Sequence, residues 1–127
     1  MPDKHLYEYA VIRFVPNVER EEFINVGVVL FSKQPNYIKM RYHVNKDRIH
    51  LLSPETDFEI LQENLEAFNK ICCGVPDGGP IAMYDVPERF RWLTAVRSAS
   101  IQTSRPHPGF SENLDATLDK LFKELVL

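Results

Sequence analysis

Arg13 stands in a run, Tyr7 to Val15, whose other residues are mostly apolar, and it shares its alternating face with Tyr9, Val11 and Val15. A guanidinium in that position costs free energy unless something pairs with it. The turn after this run offers Glu19, Glu21 and Glu22, and the next run carries Asn25 and Gly27. Both types are depleted from strand interiors. Asn25 brings an amide able to bond across a sheet, and Gly27 marks a bulge or a close backbone approach. A second polar group comes at Arg97, Ser98, Ser100, Gln102, Ser104 and Arg105, and if this stretch is extended its serines and Gln102 share a face. Arginines with hydroxyls and an amide are suited to holding an anion such as a phosphate.

Three uses of these groups are open. Arg13 and Glu22 pair to close a hairpin while 97–105 forms a polar edge facing water. Alternatively, Arg13, Glu22, Asn25, Gly27, Arg97, Ser98, Gln102 and Ser104 build a surface for a ligand or partner. The third use is an enzyme centred on Arg13, Glu22 and Asn25.

Other chemistries leave no trace. There is no phosphate loop, dinucleotide fingerprint, zincin helix or calcium loop. His5, His43, His50 and His107 are scattered without zinc spacing, so neither a metal nor a cofactor is expected. Cys72 and Cys73 are adjacent, a poor geometry for a disulfide, and read as a buried helix end in a reducing compartment. The carboxylates Asp57, Glu59, Glu63 and Glu66 match the start and the exposed face of a helix rather than an acid–base pair.

The elements that must position these residues alternate in type along the chain. Tyr7–Val15, Ile24–Ser32 and Tyr37–Val44 read as strands of an antiparallel meander, the third with Lys39, Arg41 and His43 on a face turned to solvent or a partner. Helical spacing then takes over: Ser53 caps, Pro54 opens the helix, Phe58, Leu61, Leu65, Phe68 and Cys72 form a stripe, and Gly74 ends it. A short strand is expected at Ile81–Tyr84, a helix from Pro87 to about Ala95, and a short strand at Ile101–Thr103. Pro106-His107-Pro108-Gly109 breaks the chain before a last helix capped by Ser111. The sum is one α+β domain over 1–127, a small antiparallel sheet with about three helices packed mainly on one face.

At 127 residues, 44% hydrophobic and 26% charged, the chain has the composition of a globular protein, not a disordered one. No apolar run reaches the roughly 20 residues of a membrane span. The start, Met1-Pro2-Asp3-Lys4-His5, lacks an export pattern, which leads to a cytoplasmic expectation with no membrane partner. Net charge is −3, so no global field attracts nucleic acid. Basic residues nonetheless concentrate in 33–50 and 89–105, with Tyr37, Tyr42, Phe90 and Trp92 available for stacking.

The stretches Tyr9 to Pro16 and Glu22 to Leu30 resemble an uncharacterised bacterial family catalogued as domain of unknown function 3037. Arg89 to Leu93, Arg97-Ser98 and Gln102-Thr103-Ser104 resemble its second block. The resemblance implies a small bacterial cytoplasmic protein without assigned catalytic residues. It also implies a protein partner, a kinase-like neighbour similar to the HipA toxin. The expectation is thus a non-enzymatic interaction or regulatory module. The alternatives are a nucleic-acid or nucleotide-binding domain using 33–50 and 89–105, and an enzyme at the Arg13 cluster.

Overall fold

A computed structural model describes residues 3–97 and 99–127. Strands β1 (His5–Phe14), β2 (Ile24–Ser32) and β3 (Tyr37–Tyr42) form the expected antiparallel meander. The other edge of β1 is shared by two short strands end to end. β4 (Ile101–Thr103) pairs with Ile12–Phe14, and β5 (His107–Ser111) pairs with His5–Tyr9. At the junction, Ser104 donates its N–H to the Val11 carbonyl at 2.8 Å, while its hydroxyl accepts the Val11 N–H at 2.9 Å. A side chain stands in for the missing carbonyl, so the ladder crosses the break with its buried groups satisfied.

Among the described residues four helices complete the fold: α1 (Lys46–Leu52), α2 (Phe58–Cys73), α3 (Val86–Leu93) and α4 (Leu114–Leu125). The first three cover one face. Leu61, Leu65, Phe68 and Cys72 of α2, with Ile49 of α1 and Phe90 and Leu93 of α3, pack on Ala10, Ile12, Phe14, Val29 and Phe31. The predicted stripe of α2 thus makes the main core, and Gly74 ends the helix in the left-handed conformation at φ 70°. Helix α4 lies on the opposite face, where Leu114, Leu118, Phe122 and Val126 pack with Val28 and Leu30 beside Tyr7, Tyr9 and Tyr37.

Several local expectations are corrected. Helix α2 begins at Phe58, because Asp57 accepts the N–H groups of Glu59 and Ile60 and is the better cap; Ser53 instead ends α1. Helix α1 escaped the periodicity because Ile49 is its one buried residue. Ile81–Tyr84 is not a strand: Pro80–Met83 forms a 3₁₀ turn. Pro106–Gly109 does not break the chain but leads into β5, and Asn113, not Ser111, caps α4 by accepting the Ala116 N–H. Cys72 is buried as expected whereas Cys73 is exposed; both are free, and burial pushes the Cys72 thiol up to about 12.

The bulge predicted at Gly27 occurs and decides which side chains β2 turns to each face. Register along β1 and β2 runs Ile12↔Gly27 and then Arg13↔Asn25, leaving Val26 as the extra residue. The insertion reverses the side-chain alternation of β2. Val26 joins the core beneath α2, and Asn25 is turned to the face of Arg13. Gly27 also satisfies the close-approach reading, since a Cβ there would lie 2.7 Å from the Arg41 carbonyl oxygen. No helix among the described residues is long and apolar enough to cross a membrane.

Candidate functional site

Directly opposed residues of antiparallel strands share a face, so Asn25, Arg13 and Gln102 form one row across β2, β1 and β4. The row lies on the α4 face, at the end of the sheet where α4 finishes. There Asn25 donates its Nδ2 to the Leu125 carbonyl at 3.0 Å and ties the last turn of that helix to the sheet. Beyond this tie the face is open, and Arg13 and Gln102 line a cleft of about 580 Å³ with Val15, Val18, Glu21, Phe23, Val96 and Arg97.

Arg13 dominates the cleft. Its guanidinium lies 4.2 Å from the centroid of the Phe23 ring, a cation–π contact with an exposed aromatic. Its Nε is buried without a hydrogen-bond partner, and among the described residues no carboxylate pairs with it. The expected Arg13–Glu22 pair does not form. Glu22 takes Arg20 instead at 2.6 Å and lines a neighbouring cleft with Glu19 and Glu55. Glu21 is held at the cleft rim with φ 56°, a left-handed conformation that costs a non-glycine residue roughly 1 kcal/mol.

Arg97 is anchored differently. It donates to the carbonyls of Trp92 and Ala95 at the end of α3 and stacks 4.5 Å from the Trp92 ring, and burial lowers its pKa from the usual arginine range. Its charge therefore reaches the cleft from a fixed base at the negative end of a helix. Gln102 donates Nε2 to the Ala99 carbonyl at 2.9 Å.

Of the residues singled out from sequence, Arg13, Arg97 and Gln102 meet in the cleft and Asn25 adjoins it. Gly27 serves the bulge and Ser104 the junction of β4 with β5, Glu22 faces away, and Ser98 lies outside the described residues. The apolar walls were missed: Val18 and Phe23 belong to no periodic segment, the one available signal was a large apolar residue inside an acidic turn, and the spacing after Phe90 and Leu93 points Val96 inward where it is fully exposed. Among the described residues the lining offers two cations, an amide, one carboxylate and apolar surface. Among the described residues it contains no thiol, imidazole or amine.

Several cations of the basic segments have partners within the chain. In 33–50, Lys39 reaches Asp115 at 3.0 Å and Arg41 reaches Asp119 at 2.5 Å, both on α4, and Arg41 also covers the Phe122 ring at 4.5 Å. The partner of the charged face of β3 is thus α4 itself. In 89–105, Arg89 is held by the Tyr84 carbonyl at 2.7 Å and Arg97 by α3.

Fold and cleft together define an α+β domain with a mixed-charge, aromatic-walled cleft at the bulged end of an antiparallel sheet. The sequence profile of a protein family of unknown function, DUF3037, matches residues 9–126, and the chain belongs to that family. No curated protein and no solved structure matches it.

Proposed function

We propose that the chain is a non-enzymatic interaction module that docks a protein partner through the Arg13–Phe23 cleft. The occupant is a segment bearing a carboxylate beside an apolar side chain. The observation that carries this reading is the Arg13 guanidinium, stacked on exposed Phe23 and without a carboxylate of its own chain. Arginine and aromatic side chains grouped in a partly desolvated pocket have the composition of interface hot spots. Arg97 and Trp92, close by, add a second such pair. The binding is read as regulatory, and the first partner to try is the kinase-like neighbour implied by the family resemblance.

The test is a tagged pull-down of the wild type and of Arg13→Glu, each with and without nuclease, with circular dichroism to verify folding. A defined acidic-motif protein should be retained through nuclease treatment and lost with Arg13→Glu, at least about thirtyfold weaker by titration with the purified partner. Retention by Arg13→Glu would place docking elsewhere. Recovery that depends on intact nucleic acid would return the basic segments to first place.

A further inference from the structure

Backbone parity along β1 decides which way β5 presents its groups. Val15 donates its N–H to the Ser100 carbonyl at 2.7 Å, and Val11 accepts from Ser104. Alternate residues of β1, back through Tyr9, Tyr7 and His5, therefore direct their N–H and C=O toward β4 and β5. Their partners in β5 are His107, Gly109 and Ser111. Pro108 and Phe110 then direct their backbone groups outward, to an edge that no strand of the described residues occupies. Proline has no N–H, so Phe110 is the one residue of β5 presenting both a donor and an acceptor there. Its side chain is 68% exposed, and its cross-strand neighbour Leu6 is 57% exposed. An open strand edge beside a pair of exposed large apolar residues is a template for another strand.

We propose that β5 is a self-association edge, on which a second copy of this chain pairs antiparallel about a two-fold axis through Phe110. Two features favour a second copy as the occupant. Centred on Phe110, each copy's Phe110 N–H meets the other's Phe110 carbonyl, and the lone outward acceptor of Pro108 faces the N–H of Glu112. Sliding the register by two residues sets Pro108 against Phe110 and forfeits a donor on each side. Charge is no obstacle, since Glu112 of one copy stands opposite uncharged Pro108 of the other, and Ser111 opposite Gly109. The pairing is isologous and closes as a dimer, with both Phe110 rings and Leu6 side chains gathered along the seam. The Arg13 cleft, at the far end of β1, stays open in that dimer.

Light scattering on the eluting wild-type peak should give twice the 14.8 kDa chain mass. Phe110→Glu should elute as a monomer with an unchanged circular dichroism spectrum, its dimer dissociation constant raised by about thirtyfold or more. In a Cys73→Ser background, Phe110→Cys should cross-link to dimer with a short bis-maleimide, because paired residues at such a position have Cα atoms about 5.5 Å apart. A wild type that stays monomeric overturns the proposal. So does a dimer that survives Phe110→Glu, or one in which Phe110→Cys does not cross-link.

Discussion

Arg13 and Asn25 share a face because Val26 is inserted between the Ile12↔Gly27 and Arg13↔Asn25 pairs. In an unbulged register Val26 would stand opposite Arg13, Asn25 would point into the core beneath α2, and α4 would lose its tie at Leu125. Gly27 permits the arrangement, because a side chain there meets the backbone of β3 rather than a mobile group. Gly27→Ala should therefore destabilise the fold by about 2 kcal/mol, in the range of overpacked core substitutions, measured by urea denaturation. The cleft should respond in the same variant through weaker partner capture, since a shifted β2 displaces Asn25 from the row. At this scale the sequence was informative where a residue broke a local rule. Arginine in an apolar run, and asparagine and glycine in a strand, pointed to Arg13, Asn25 and Gly27. Phe23 broke no rule strong enough to be seen, and the partner of Glu22 turned on a two-residue reach to Arg20 that spacing alone does not select.

Among the elements, α4 and β3 are joined by charge as well as by packing. Tyr37 donates to Asp115 at 2.7 Å and Lys39 reaches the same oxygen at 3.0 Å; these contacts hold the Asp115 carboxyl below the usual carboxylate range. A carboxyl whose pKa is lowered by folding contributes stability above its unfolded value near about 3.9, and loses it as pH falls through the folded value. The pair is exposed, so the contribution at neutral pH is about 0.5 kcal/mol. Thermal denaturation of Asp115→Asn should show that deficit at pH 7, and the gap from wild type should close as the pH drops below about 3.9. A gap that widened on acidification would mean that folding raises this carboxyl's pKa instead. Strands and helices with a strong apolar pattern were legible: β2 begins and ends where the run rich in β-branched residues does, and α2 runs to its glycine. Helix α1, with one buried residue, and β5, which contains a proline and a glycine, were not. In β5 the proline is tolerated because its nitrogen faces the open edge, and the glycine because the Tyr7 ring lies against it. Both reasons are tertiary and leave no local pattern.

For the molecule as a whole, Lys39 and Arg41 of the first basic segment and Arg89 and Arg97 of the second have partners within the chain, and net charge is −3. Fluorescence anisotropy with labelled single- and double-stranded oligonucleotides should show no binding at physiological salt; tight binding that weakens steeply with added salt would contradict this. The α+β class was legible in the order of apolar patterns along the chain, whereas the opposite placement of α4 was not, because amphipathic spacing gives a helix a face without naming the surface it covers. The division of labour around β1 also has a consequence in time. This strand lies near the start of the chain, yet one of its edges is completed by residues 101–111 and part of its α4-side face is covered by residues after 113. A ribosome adding about 5–20 residues per second must therefore expose Tyr9, Val28 and Leu30 for several seconds before their cover emerges. Most of the domain must be made before its second layer can close, and nascent chains of this protein should be most open to chaperones just before α4 leaves the exit tunnel.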